Sequence, residues 1–212
     1  MKRILLAFIS VLLVTSALGA DDPKTPISLF DGKTLGSWKP LAFGGDGPVF
    51  VENGEIHLGQ GSPLTGVVWQ GKLPARTNYE ISLEAKKIKG TDFMLALTFP
   101  VNDSHCSFVV GGWGGGVVGI SSINNMDASE NETTTFGSFE EGKWYKIQVR
   151  VHPGSITCAI NDKTCVDLDI QVVKIGMRFG EIEMCVPLGM ACYETSAAYR
   201  NLTWRPLEPD GN

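Results

Sequence analysis

The sequence lacks the apolar spacing of an amphipathic helix over any stretch of helical length. Its apolar residues instead alternate at a period of two, in short runs separated by Gly, Pro, Asn and Asp. The clearest runs are residues 49–59 around Asn53-Gly54, 79–88, 144–151 and the hairpin pattern of 155–169. Together with 25 glycines, these runs indicate an all-β sandwich or barrel.

Clusters of positive charge are also missing. No basic run occurs beyond Lys86-Lys87, and the formal net charge is −5. Proteins that bind nucleic acid neutralise phosphates with clustered Lys and Arg, so this composition argues against a nucleic-acid partner. An acidic balance is compatible with a neutral ligand such as a sugar.

The long apolar run needed for a membrane span is absent, but a shorter one opens the chain. Lys2-Arg3 is followed by an apolar stretch to Val14 and by small residues up to Ala20. This pattern predicts a secretory signal peptide over 1–20, with an uncleaved anchor as the alternative. We therefore expect a single domain over 21–212, secreted or periplasmic, with no membrane contact after cleavage and a formal charge of −7 once Lys2 and Arg3 are lost.

The five cysteines do not have the spacing of a zinc site, and their odd number leaves at least one unpaired. Cys158 and Cys165 flank a predicted two-residue turn at Asn161-Asp162, which would place them opposite each other. Either a disulfide joins them or both are small buried thiols, since free cysteine is commonly buried.

Glycines surround Trp113 in the stretch VVGGWGGG, residues 109–116. A phosphate-binding loop would need a following helix and a Lys-Ser/Thr end, and neither is present. A flexible linker is disfavoured because strand patterns lie on both sides. The remaining interpretation is a turn or bulge in which Trp113 is either a core residue or a ring exposed for stacking on a sugar.

Two end motifs resemble a known family. SLFDGKTLGSW (residues 28–38) and AYRNL (residues 198–202), followed by TWRPL, resemble the bacterial 3-keto-disaccharide hydrolase domain family. The middle of the chain looks like a secreted, planctomycete-type branch of that family. The resemblance implies a two-sheet antiparallel jelly-roll sandwich of the concanavalin A-like lectin and glucanase type. It also implies that Trp38 fills the core.

The resemblance implies a carbohydrate partner and a hydrolase or lyase that acts on 3-keto glycosides at a concave sheet face. A ketone at C3 acidifies the C2 proton, so a base can form an enolate and the glycosidic oxygen can leave. This reaction needs a base, an acid and an electrophile or divalent metal at the enolate oxygen. No E-x-D-x-E motif is present, which weakens the ordinary two-carboxylate glycosidase interpretation.

Glu84 and His105 are the candidate catalytic residues. The resemblance places an acidic residue at Glu84, which alternates away from the Ile81-Leu83 face of its strand and is either a base, a metal ligand or solvated. His105, in a predicted loop before an apolar strand, could transfer protons near neutral pH or be structural. No cofactor is indicated by any motif, a divalent metal is an option, and no metal ligands can be assigned.

The candidate substrate-binding residues are Trp113, Asn124 and Asp127. Asn124 and Asp127 lie with Asn131 and Glu132 in the polar segment 115–136, the longest irregular-looking part of the chain. The alternative to an enzyme is a non-catalytic glycan-binding or cell-envelope module of the same fold. Clustering of Glu84, His105 and Asp127 around one pocket would favour the enzyme.

Overall fold

The computed structural model describes residues 25–209. These residues fold into two antiparallel β-sheets. The predicted signal peptide, 1–20, lies outside the described residues. Sheet A has the order β13-β12-β11-β6-β15-β4-β3, with β1 also paired to β15. Its strands are β1 (Ile27–Ser28), β3 (Val49–Glu52), β4 (Glu55–Leu58), β6 (Tyr79–Gly90), β11 (Trp144–His152), β12 (Ser155–Ile160), β13 (Lys163–Asp169) and β15 (Thr195–Pro206).

Sheet B has the order β10-β9-β8-β7-β14-β5-β2. Its strands are β2 (Trp38–Pro40), β5 (Leu64–Trp69), β7 (Leu95–Val101), β8 (Ser104–Gly111), β9 (Val117–Ser121), β10 (Thr135–Phe136) and β14 (Gly189–Tyr193). A tight turn, Gly112–Gly115, in which Trp113 and Gly114 have positive φ, joins β8 to β9, and a short 3₁₀ helix, Glu181–Cys185, precedes β14. Among the described residues, no helix is long and apolar enough to cross a membrane.

The core lies between the sheets and is filled by alternate residues of their strands. Leu83 of β6 and Phe108 of β8 are both fully buried there. Trp204 stacks on Tyr79 with ring centroids 3.9 Å apart. Trp38 is 2% exposed, and its indole N–H donates to the Leu29 carbonyl. The predicted two-sheet sandwich is therefore confirmed, and Trp38 fills the core as the resemblance implies.

The hairpin turns follow the sequence signals. Asn53 and Gly54 both adopt positive φ between β3 and β4, as do Asn161 and Asp162 between β12 and β13. Positive φ at both central residues gives the backbone twist that two-residue hairpin loops need. These turns place β12 beside β13 as the sequence predicts.

The expected alignment of Cys158 with Cys165 is wrong by one residue. A register shift between Cys158 and Ala159 makes Cys165 the extra residue, so Cys158 lies opposite Val166. All five cysteines are free thiols, and burial raises the pKa of Cys165 to about 11. The pair therefore matches the alternative of small, largely buried thiols.

Two local predictions in the middle of the chain also need correction. His105 lies within β8 rather than in a loop, and the segment 115–136 contains β9 and begins β10, which leaves an irregular part of 122–134 only. All five residues of β9 are buried. Strands buried on both faces do not alternate between apolar and polar residues, which removes the period-two signal.

Candidate functional site

A cleft of about 400 Å³ lies over the outer face of sheet B. Its floor is formed by Ala96 of β7, Ser107 and Val109 of β8 and Ser121 of β9. These side chains alternate with the core residues of the same strands and point away from sheet A. Because all four are small, the sheet leaves room for a ligand above them.

Loops, the 3₁₀ helix and the ends of β5 and β14 form the walls of the cleft. The lining wall residues are Pro63, Leu64, Asp92, Phe93, Trp113, Arg178, Phe179, Glu181, Ile182 and Tyr193. The set combines aromatic rings with two carboxylates and one guanidinium. An apolar cavity with a few convergent polar groups is the usual form of a small-ligand site.

The glycine-rich turn holds Trp113 at the edge of the cleft. Trp113 has φ +48° and ψ +58°, a left-handed conformation that costs a bulky residue about 1–2 kcal/mol. The Asp92 carboxylate fixes the turn by accepting hydrogen bonds from the amides of Gly114 and Phe93, each at 2.8 Å. The ring is 41% exposed and lines the cleft, so Trp113 is not a core residue. Backbone strain that is held in place at a cleft is typical of functional positions.

Asp127 reaches the cleft indirectly, through Arg178. The Arg178 guanidinium lies 5.8 Å from the centroid of the Trp113 ring and 3.3 Å from Asp127 Oδ2. Asp127 Oδ1 accepts a hydrogen bond from the Ser121 hydroxyl at 3.1 Å. Asp127 therefore ties the floor to Arg178 without lining the cleft itself.

The other polar residues of the loop 122–134 have structural contacts. The Asn131 side-chain amide donates to the carbonyls of Ile120, Met126 and Asp127, and Asn131 is buried. Asn124 Oδ1 accepts from the Lys174 amide at 2.8 Å, and Asn124 does not line the cleft. Asn131 therefore organises the loop, while Asn124 joins it to the connection that follows β13.

Glu84 lies on the outer face of sheet A, on the other side of the sandwich from the cleft. Glu84 Oε2 accepts hydrogen bonds from Arg200 Nε at 2.8 Å and from Asn201 Nδ2 at 2.5 Å. The Arg200 hydrogen bond, helped by Asn201, holds the pKa of the Glu84 carboxyl below its usual range. Arg200 and Asn201 of the RNL motif and Glu84 thus form one ion-paired cluster, which sequence reasoning missed although the strand that carries Glu84 was predicted.

His105 lies on the same face of β8 as Ser107 and Val109, one position farther from the cleft. Burial, and then the nearby Arg76 charge, lowers the pKa of His105, and its Nε2 atom is buried without a hydrogen-bond partner among the described residues. Since packed sheets are about 10 Å apart and Glu84 points out from the opposite sheet, these two residues do not meet. Clustering of Glu84, His105 and Asp127 around one pocket, which would favour the enzyme over a binding module, is not observed.

Several cleft residues were not identified from the sequence, and their signal is weak. Asp92 is the first charged residue after β6, while Arg178, Phe179 and Glu181 stand in the connection between β13 and β14. An aromatic residue between Gly176 and Gly180 is the one visible hint. Over residues 25–209, no group of three or more His, Cys, Asp or Glu side chains is arranged to hold a metal ion.

Solved structures with the same architecture share little sequence with this chain. A putative glycosyl hydrolase from Parabacteroides distasonis has a TM-score of 0.54 at 14% identity, covering 86% of this chain and 94% of that one. A galectin-like protein of unknown function from Bacillus subtilis has a TM-score of 0.55 at 9% identity, covering 81% and 90%. The carbohydrate-binding module CBM66 from Bacillus subtilis has a TM-score of 0.50 at 10% identity, covering 80% and 95%. At these identities the likeness concerns the fold.

No protein among those with curated descriptions matches this sequence. A family model does match, over residues 25–205, which is nearly all of the described chain. The match includes both end motifs, Glu84 and every wall of the cleft. This chain therefore belongs to the 3-keto-alpha-glucoside-1,2-lyase-like domain family, as its two end motifs predict.

Proposed function

We propose that this protein binds a carbohydrate in the cleft over sheet B and cleaves a 3-keto glycoside there. The observation that carries the proposal is the composition of the cleft, where an exposed indole stands beside carboxylates, a guanidinium and hydroxyl groups. Indole rings pack against the C–H faces of sugars, while carboxylates and hydroxyls bind the sugar hydroxyl groups. Membership of the lyase-like family supports the same substrate class.

The proposed reaction is an elimination followed by hydration. A base removes the C2 proton, the C2 electrons form the enolate of the C3 ketone, and reformation of the carbonyl expels the glycosidic oxygen, which takes a proton from an acid. Water then adds across the new double bond. No net oxidation occurs in either step.

The cleft supplies a group for each role. Glu181 is the proposed base, because its carboxylate makes no ion pair or hydrogen bond among the described residues, whereas Asp92 already accepts two backbone amides. Tyr193 offers a phenol to the leaving oxygen, and the Arg178 guanidinium offers positive charge to the enolate. His105 stands one position beyond the floor and stays a candidate for proton transfer to the product.

Glycan binding without turnover is the second candidate. The observation that favours it is the separation of Glu84 from His105, since the acid–base pair expected from the sequence does not assemble. An aromatic cleft on a β-sandwich is sufficient for binding alone.

Release of free sugars from a purified 3-keto disaccharide, with and without added divalent metal, tests the proposal. Glu181→Gln should lower kcat at least about 100-fold while binding persists, because a general base contributes about 10²–10⁴-fold. Glu183→Gln is the matched control, since Glu183 lies in the same 3₁₀ helix and does not line the cleft.

The outcomes separate the candidates. Binding of the disaccharide without turnover by the wild-type protein would select glycan binding over catalysis. Absence of both binding and turnover would overturn the proposed function. Equal turnover by the two glutamate variants would remove Glu181 from the reaction.

A further inference from the structure

The connection between β13 and the 3₁₀ helix carries two cleft residues, Arg178 and Phe179, across the outer face of sheet B. It is fixed on one side by Gly176, whose amide and carbonyl both pair with Ser122, at 3.1 and 2.9 Å. On the other side, the Gly180 carbonyl accepts from the Glu183 amide at 3.0 Å. Residues 177–179 make no backbone–backbone hydrogen bond within the described chain. We call residues 176–180 the flap.

Phe179 is exceptional within the flap. Its side chain is 93% exposed although it borders the cleft. No aromatic ring packs against it in the described part of the chain. Burial of a phenylalanine side chain is favourable by about 1.5–3 kcal/mol, so a ring left in water beside a cavity forgoes stabilisation that a ligand could restore.

The Trp113 ring lies on the same side of the cleft as the flap. The Arg178 guanidinium is already 5.8 Å from the Trp113 centroid, so the next residue along the chain is within reach of the space over that ring. Two aromatic faces that each contact one saturated ring at about 3.5–4.0 Å would stand roughly 7–8 Å apart.

Glycines at both ends of the flap allow it to move. Gly180 has φ +121° and ψ −159°, a conformation that is essentially restricted to glycine. A Cβ atom at Gly176 or at Gly180 would meet no heavy atom within 4 Å, so the space beside both glycines is open. Such positions can absorb the dihedral change of a closing loop.

We propose that Phe179 is the second aromatic wall of the site, and that the flap closes over a bound sugar ring so that the ring lies between Phe179 and Trp113. The proposal rests on the proposed function, because it assumes that the cleft holds a carbohydrate. It assigns to Phe179 a role in substrate selection, since a clamp of two rings accepts a pyranose with apolar C–H groups on both faces and disfavours an axially substituted face.

Calorimetric titration of four proteins tests the clamp: wild type, Phe179→Ala, Phe179→Trp and the control Val172→Ala. Val172 is 82% exposed in the same connection but does not line the cleft. The ligands are a 3-keto disaccharide and its unoxidised parent. Phe179→Ala should weaken binding about tenfold, Phe179→Trp should retain it, and Val172→Ala should equal wild type. The wild type and the three variants should melt at the same temperature, because both replaced side chains are exposed.

Hydrogen exchange provides a second measurement on the wild-type protein. The amides of residues 177–180 should exchange more slowly when the disaccharide is present if the flap closes. Wild-type binding with equal affinity for Phe179→Ala, and unchanged exchange in the flap, would overturn the clamp and leave the proposed function standing. Failure of wild type to bind either disaccharide would overturn both.

Discussion

The outer faces of the two sheets differ in how their polar groups are used. On sheet A, charged and aromatic side chains interact with one another. Lys86 forms an ion pair with Glu55 at 3.0 Å. The Trp144 ring centroid lies 4.3 Å from Lys86 Nζ and 4.1 Å from Arg200 Cζ. On sheet B, the corresponding positions are small and leave the space that the loops enclose as the cleft.

The difference shows that a carboxylate on a strand does not by itself make a site. Glu84 is surrounded by its own partners, Arg200 and Asn201, which leave little for a ligand to replace. The cleft instead arises because side chains such as Ala96 and Ser107 do not fill the volume above sheet B. On that face, room for a ligand occurs together with the Glu181 carboxylate, which has no partner among the described residues.

Replacement of one exposed aromatic residue on each face should give the largest contrast. Trp113→Ala removes the indole that borders the cleft and should weaken disaccharide binding about 30-fold, or about 2 kcal/mol. Phe50→Ala, on the edge of sheet A, is the matched control because Phe50 and Trp113 are 43% and 41% exposed. Calorimetric titration of both variants is the measurement. An equal loss in the two variants would erase the distinction between the faces.

A second prediction concerns the strained turn that presents Trp113. Trp113→Gly should be more stable than Trp113→Ala by about 1–1.5 kcal/mol, because glycine adopts φ +48° without the clash of a Cβ atom. Both variants lack the indole, so their affinities for the disaccharide should be equally low. Chemical denaturation measures the stability difference. A more stable alanine variant would mean that the turn does not strain its central residue.

Glu84→Gln tests the opposite face. Loss of the ion pair with Arg200 should lower the free energy of unfolding by about 1 kcal/mol at pH 7 and leave turnover unchanged. Because folding lowers the pKa of Glu84, its stabilisation is complete above the ordinary glutamate pKa and is lost as pH falls through the lowered value.

Denaturation of wild type and Glu84→Gln between pH 7 and pH 3 should therefore show a difference that shrinks toward acid. Glu52→Gln, a carboxylate in the edge strand β3, is the control and should behave as wild type. Loss of turnover in a folded Glu84→Gln protein would restore Glu84 as a catalytic candidate.

His105→Gln should have the smallest effect of these substitutions, a change in how the stability of the fold depends on pH. The pKa of His105 is lowered by burial and by Arg76, so the unfolded chain binds a proton at a higher pH than the folded one. Stability contributed by the neutral imidazole is present above the ordinary histidine pKa and falls as pH drops through the lowered value. Thermal melting at pH 7.5 and pH 5 should show a smaller acid loss in the variant. If the melting temperature fell equally in the variant and the wild type between pH 7.5 and pH 5, His105 would not be the cause of the loss of stability in acid.

The sequence predicts the sandwich well because its hairpins are local. Asn53-Gly54 and Asn161-Asp162 specify turns, and the strands beside them alternate clearly between apolar and polar residues. The two end motifs identify the family. It predicts the second sheet less well because strands such as β9 are buried on both faces and do not alternate. Trp113 is the one cleft residue that the sequence identified, since the other walls come together from segments that are distant in sequence.

Sheet A cannot form until β15 has been synthesised, because β15 pairs with three other strands of the sheet. This strand, the last among the described residues, lies inside sheet A between β6 and β4 and also pairs with β1, near the start of the described chain. A chain that ends before Thr195 would expose the unpaired edges of β4 and β6 and would have no route to a closed core. Folding therefore requires β15, and truncations that remove Thr195–Pro206 should abolish soluble expression.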